Sequence, residues 1–516
     1  MNTQKTLRDS VLMRWFALII LSGLTFATYW FQDFMGGIKE LLSVEYGFDS
    51  EQYGRIIGFT TFANMVGMII VGGIILDKWG IRPAGILFGS LAVIGALLVY
   101  LGAVNVFGSD ATTKIWTMGL GRMIFGSGLE VVCVVASRTI VKWFKGYEIA
   151  LAMAINVGFG RLGTAMGIAV SPDIASAGSV STSVGFAASL LGIALIMFVI
   201  YMFFDIRLDR QTAMSGQESD EEKFKVSDLL KLLKNQAFIY ITLLCVVFYA
   251  AVFPFIQYAS DLLVHKFGFT SKLPDNAAVI IGGNAALGNA LVFLGLFIFA
   301  ICFSTVPPRL KTSAARLSGR CVILILFAGY IYLLKDVLAV WLTNGPKTAS
   351  LIPLGTIIFT PVFGSFVDKR GKAASLMILG SALLICSHLA LSVFNNVILG
   401  YFGLLSLGVA FSLVPAAMWP SVAKIVPENR LGTAYATMFT VQNWGLGAFF
   451  WGIGAVLDLV NSDSLSEIKA GNAVYNYTIP ILMLVVCGIV SVFLAYKLLA
   501  ADKKYGYGLE LPNMKN

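Results

Sequence analysis

The sequence predicts an all-α polytopic membrane protein of about 14 transmembrane helices. Three observations carry that expectation. The 516 residues are 58% hydrophobic and only 13% charged, a balance outside that of soluble domains. About 14 apolar runs are long enough to cross a hydrocarbon core of ~30 Å. Lys and Arg gather in alternate loops, the bias that orients membrane proteins. That bias also accounts for the net charge of +9 without nucleic acid as a partner.

Taken in order, Trp15–Phe34 is too long for the apolar region of a signal peptide and has no clear small-residue cleavage site, so it reads as the first span. Tyr53–Leu76 and Ala84–Leu101 follow, then Ile115–Ile140, Ile149–Ser171 and Val184–Phe204. The charged, Ser- and Gln-containing stretch from Asp205 to Asn235 reads as a solvated linker. Spans resume at Ala237–Ala259, Ala278–Phe303, Cys321–Trp341 and Ser350–Val367, and end with Ala373–Val393, Ile398–Val422, Leu431–Leu457 and Val474–Leu499. The expected organisation is 1–204, a cytoplasmic linker at 205–236, and 237–516 with an inserted helical pair at about 278–342.

With the N-terminus inside, about 27 of the 37 Lys and Arg fall on the cytoplasmic side. Both ends are then cytoplasmic. Residues before Arg14 hold no acidic dileucine signal, and the expected location is the plasma membrane. The six cysteines lie within or at the ends of apolar runs without paired spacing, and His265 and His388 are isolated. Neither a disulfide framework, a metal site nor a cofactor is expected.

An internal repeat organises the inner ends of two spans. Gly73, Asp77, Lys78 and Gly80 recur as Gly364, Asp368, Lys369 and Gly371, each set joining two spans on the predicted inner face. Repeats of this kind build carriers whose halves rock about a midplane site. Arg82 and Lys372 add basic charge beside these loops, and the group is expected to govern conformational exchange.

Two charges stand where lipid-embedded helices carry none. Glu130 lies about 15 residues before the turn at Lys145 and Arg161 about 16 after it, so at ~1.5 Å per residue both sit roughly 22–24 Å from that turn. Intramembrane charges mark a ligand site or a pathway. Arg161 can fork onto a carboxylate while Glu130 takes an ammonium. The two can also pair with each other and hold their helices together. Tyr29, Trp30 and Gln32, with Tyr249, Phe253, Pro254, Gln257, Tyr258, Trp419, Pro420, Tyr435, Gln442 and Asn443, are candidates to line a cavity, or to anchor span ends at the interface. Gly160, Gly163 and Gly167 form a small-residue face suited to helix packing. Arg122 is expected to bind within the bundle. Lys335 and Asp336, about 100° apart on a helix, point to different partners.

Arg122-MIF-Gly126-S-Gly128 and the two repeat loops resemble signatures of the major facilitator superfamily. GRMIFGSGLE, VKWFKGYEIALA, GFGRLG, FYAAVFPFIQYA, PVFGSFVDKRGK, AAMWPSVAKIVPENRLGTAYA and QNWGLG are similar to the major facilitator superfamily domain-containing protein 1 family. The resemblance implies the major facilitator fold, two six-helix halves, here with an inserted two-helix hairpin. It implies a facilitative dipeptide carrier working by alternating access, of a kind placed in animal lysosomes with a glycosylated accessory chain. The family's fourth-helix acid and fifth-helix arginine correspond to Glu130 and Arg161. The implied partners are a dipeptide-like zwitterion and membrane lipid; the carrier is expected to be monomeric, with any accessory subunit unknown. The rivals are a proton-coupled carrier of other small zwitterions or anions, with Glu130 titrating, and a non-transporting receptor on the same fold. The departure is the insertion of about 70 residues, whose basic loop PPRLKTSAARLSGR belongs inside.

Overall fold

The computed structural model describes residues 6–213, 231–274, 277–281, 284–427 and 430–513. Most of the stretch read as a linker, 214–230, lies outside them. Each expected span contains a helix, although the described residues just before Ala285 and Thr478, which the sequence reads as span, are not helical, and thirteen helices are long and apolar enough to cross a membrane. A bent pair supplies a fourteenth. The protein is an integral, multi-pass membrane protein.

Helix α1 (Val11–Asp33) ends in a 3-10 turn at Phe34–Gly37, followed by the short α2 (Lys39–Tyr46). The second expected span is two helices, α3 (Ser50–Met65) and α4 (Met68–Trp79), bent by 51°. The expectation of one continuous span is thereby corrected. Gly67 takes φ +91°, which a residue without Cβ adopts freely, and that ends α3's helical ladder. α5 (Ile81–Ala103), α6 (Ala111–Phe144), α7 (Ile149–Ala177) and α8 (Val180–Ala213) complete the first set. α8 continues nine residues past Phe204. Asp205, read as the start of a solvated linker, is instead fully buried. It accepts from Lys142 Nζ at 2.8 Å and the Tyr201 hydroxyl at 2.8 Å, so a charge pattern suited to solvent is satisfied inside the bundle.

The second set comprises α9 (Gln236–Phe267), then α10 (Ala285–Thr305), α11 (Ser313–Leu333), α12 (Lys335–Trp341) and α13 (Gly345–Ala349). α14 (Leu351–Arg370), α15 (Ala373–Ser392), α16 (Val397–Ile425), α17 (Leu431–Val460), the short α18 (Leu465–Lys469) and α19 (Thr478–Tyr505) follow. α10 and α11 are the inserted pair. α11 starts eight residues before Cys321, because Thr312 Oγ1 accepts from Ala315 N at 3.1 Å and caps it. No residue of α11 is buried, whereas α10 packs on α7 and α14.

Helices α1, α3 and α5–α8 pack among themselves, as do α9, α14–α17 and α19. The sets meet chiefly through α3 on α17, α7 on α14, and α9 against the turn after α1. We call the side where α1 begins the near side and the side where it ends the far side.

Candidate functional site

α6 and α7 are joined by the near-side turn at 145–148, and their regularity makes depth legible. Glu130 lies 14 residues inside α6 and Arg161 12 inside α7, about 21 and 18 Å from that turn at 1.5 Å per residue. They share a depth but do not pair. Among the described residues neither the Glu130 carboxylate nor the Arg161 guanidinium has an ion pair or a hydrogen bond. The reason is α1, which packs on α7. A Cβ on Gly163 would stand 2.3 Å from the Phe26 carbonyl oxygen, and one on Gly160 3.1 Å from the Tyr29 ring. The small-residue face therefore admits α1 against α7, and Tyr29 lies within electrostatic reach of Glu130, Arg161 and Cys133.

The Arg161 guanidinium rests on an aromatic ring. Its Cζ lies 4.2 Å from the centroid of Phe411, on α16 of the other set. Phe411 is braced edge-on by Phe253 (5.2 Å) and Tyr249 (6.4 Å). Tyr249 stacks on Phe253 at 5.3 Å and accepts from Trp419 Nε1 at 3.0 Å. Trp419 stacks on Phe439 at 4.9 Å, and the Tyr435 hydroxyl donates to the Trp419 carbonyl at 3.2 Å. Tyr249, Trp419 and Tyr435 are thus brought together as one aromatic wall, which Arg161 meets through Phe411. Phe411 and Phe439 belong to that wall, and nothing in the sequence distinguishes them among 38 phenylalanines.

Other candidates sit elsewhere. Asn443 is buried and donates to the Phe439 carbonyl one turn back at 2.9 Å. Gln442 accepts from Cys245 Sγ at 3.3 Å. Trp30 is buried against Phe26 and Phe186. Gln257 and Tyr258 belong to the far-side seam. Gln257 Nε2 donates to Asp33 at 2.6 Å, and Thr164 Oγ1 donates to the same carboxylate at 2.6 Å. The Tyr53 hydroxyl donates to the Gln257 carbonyl at 3.1 Å, and that of Tyr258 to Phe450 O at 2.9 Å. Asp33 escapes sequence reasoning because it ends an apolar run, where an acid is ordinary.

The far side is closed by further charged contacts between the sets. Lys39 Nζ meets Asp261 at 2.7 Å, both side chains buried, and the Tyr477 hydroxyl donates to the same carboxylate. Asp458 accepts from the backbone N–H of Ser50 (3.2 Å) and Glu51 (2.6 Å). A carboxylate from α17 thereby caps the start of α3, where helix N–H groups lack partners. Lys347 pairs with Asp173 and donates to Ala169 O at 2.5 Å.

The repeat residues lie at the near side, away from Glu130 and Arg161. Asp77 pairs with Arg138 at 2.6 Å, and Gly80 takes φ +82° between α4 and α5. Arg82 meets Asp205 at 3.4 Å and pairs with Asp209. Asp368 accepts from Asn513 Nδ2 at 2.9 Å. Gly371 and Lys372 both take left-handed φ, and Lys372 N donates to Glu510 O at 3.2 Å, so a C-terminal segment straps this loop. The space around Gly73 is open. Arg122 is fully buried and donates to the carbonyls of Phe31 (2.7 Å) and Gln32 (2.8 Å), stapling α6 to the end of α1. Among the described residues no cluster of His, Cys, Asp and Glu could hold a metal.

The profile of the Major Facilitator Superfamily matches residues 17–345. The lysosomal dipeptide transporter MFSD1 of Danio rerio is 25% identical over 463 residues, covering 87% of this chain and 82% of its own. That of Homo sapiens is 26% identical over 459 residues, covering 86% and 80%. Among solved structures, the nucleoside transporter NupG superposes with a TM-score of 0.57 at 14% identity, covering 94% of this chain and 99% of its own. A D-xylose-proton symporter gives 0.56 at 12% identity, covering 95% and 97%. At these identities the structures speak to the fold alone.

Proposed function

The chain belongs to the Major Facilitator Superfamily and is a membrane transporter rather than an enzyme, and from that premise we propose that it carries dipeptides by alternating access, as a facilitator. One observation carries this reading. An acid and a guanidinium lie at one depth on α6 and α7, and neither has an ion pair or a hydrogen bond among the described residues. Both are half-buried, and an ion left unpaired at membrane depth is unfavourable, so the pair suits a ligand bearing both opposite charges. Arg161 receives the carboxylate through its planar fork, and Glu130 receives the α-ammonium. Because α1 stands between α6 and α7, the charges are farther apart than an ion pair. A dipeptide, with about 3.3–3.6 Å more chain than a single amino acid, spans that gap better. The dipeptide transport named for the MFSD1 relatives agrees with this choice. The aromatic wall that Arg161 meets, Tyr249, Trp419 and Tyr435 with Phe411, accepts varied side chains.

In this reading 1–204 and 237–516 are the rocking bodies, and the structure has its far side shut. The repeat loops at Asp77 and Asp368 govern the exchange. The basic near side is cytoplasmic, and both ends lie there. An impermeant thiol reagent applied outside intact cells should leave Ser313→Cys unlabelled; labelling would reverse the orientation. Fractionation of a tagged chain tests the expected plasma-membrane address against the lysosomal one in the relatives' names. Uptake of labelled dipeptide into proteoliposomes, with and without a pH gradient, tests the function. Uptake without a gradient supports facilitation, gradient-driven accumulation replaces it with coupling, and binding without flux refutes transport.

A further inference from the structure

The inserted pair reaches the far-side seam through α10. Asn289, one turn into α10, is fully buried. Its Nδ2 donates to Asp173 at 2.9 Å, and its Oδ1 accepts from Val279 N at 3.1 Å. Asp173 belongs to α7 of the first set and is the carboxylate that pairs with Lys347 of the second. Both Asn289 and Lys347 use the same oxygen, Oδ2. The return leg of the insertion holds the other partner. Trp341 stacks on Phe293 of α10 at 5.4 Å, and the Lys347 ammonium lies 5.2 Å from the Trp341 ring centroid. Closer to the near side, α10 is fixed to the same α7 by Phe159 against Phe297 at 5.1 Å, beside Gly158.

We propose that Asn289 is a positioning residue of the far-side closure: it holds the Asp173 carboxylate where Lys347 meets it, making the insertion a working part of the gate. This rests on the reading that the two sets separate on the far side. A buried ion pair depends on geometry, because desolvation is offset only when each oxygen is well placed. A primary amide on Oδ2 fixes that oxygen from a third direction. Fold packing alone would require Asn289 only as the acceptor for Val279 N, whereas positioning requires its NH2 group.

Asn289→Asp separates these. It keeps the size and the acceptor but sets a second carboxylate against Asp173. Spin labels at Val44→Cys in α2 and Glu467→Cys in α18, both exposed, report the far-side separation by pulsed dipolar spectroscopy, with the exposed Cys321 and Cys386 replaced by serine. Losing a hydrogen bond to a charged group shifts such an equilibrium about tenfold or more. Asn289→Asp should therefore raise the open-to-shut ratio about tenfold. Adding Asp173→Asn, which restores one amide facing one carboxylate, should return the ratio toward the parent's. Asp173→Asn alone, which leaves Lys347 unpaired, serves as the control that opens the seam. If the control opens and Asn289→Asp matches the parent, the insertion has no part in the gate and the proposal fails alone. If the control itself does not open, the two-set swing fails and takes the proposal with it.

Discussion

Replacing Arg161 with Lys keeps the charge and removes the fork, so it tests how the carboxylate is held. Nothing in the described protein competes for the guanidinium N–H groups, and one face rests on Phe411 at 4.2 Å. A substrate carboxylate can then accept two parallel hydrogen bonds. Lysine supplies a point charge in their place, losing about one charge-assisted bond worth ~1.5–3 kcal/mol. It also loses part of a ring contact worth ~0.5–1 kcal/mol. Together these give ~2–4 kcal/mol, or about 30-fold to several hundred-fold in affinity. The assay is competition against labelled dipeptide exchange in proteoliposomes, using a free dipeptide and its C-terminal amide. The parent should bind the amide poorly, and Arg161→Lys should weaken the free dipeptide far more than the amide. Equal weakening of both, with unchanged melting temperature, would show that Arg161 shapes the cavity without reading the carboxylate, and would refute the assignment.

Glu130→Gln should weaken free dipeptides strongly and N-acetylated ones little, since the latter carry no ammonium; the same competition assay decides, and equal factors would return Glu130 to a packing role. Asp77→Asn removes the carboxylate that Arg138 meets at the near side, so exchange should slow while equilibrium binding changes less than about threefold; a large loss of binding at normal exchange rates would move Asp77 into the site. Asp33→Asn offers one acceptor where Thr164 and Gln257 both donate. An unmade buried hydrogen bond costs ~1–3 kcal/mol, and the variant's unfolding temperature should fall measurably below that of Arg161→Lys.

Spans and depth are legible in the sequence because hydropathy and the 1.5 Å rise act along the chain. What a sequence does not show is azimuth. Glu130 and Arg161 do share a depth, yet only the packing of α1 on Gly160 and Gly163 shows that they do not meet. The same limit hides the seam. Lys39 and Lys347 are each buried on a carboxylate far along the chain, 222 residues away for Lys39 and 174 for Lys347. Gly67's break is masked because the apolar character of the run resumes at once in Met68–Leu76. Asp205 reads as solvent-facing because its partners, Lys142 and Tyr201, come from α6 and the preceding turn of α8.

The two buried ion pairs across the far side run in opposite senses. The first set contributes the cation at Lys39 and the anion at Asp173, while the second contributes the anion at Asp261 and the cation at Lys347. Each body therefore brings one positive and one negative charge to these contacts. A transmembrane potential does about 2.3 kcal/mol of work per 100 mV on each elementary charge that crosses it. Swinging either body with its balanced pair presents almost no net charge to that field. These two pairs are electrically silent, so any voltage dependence of the gate has to come from charges outside them, such as the Asp33 and Asp458 carboxylates held by hydrogen bonds alone.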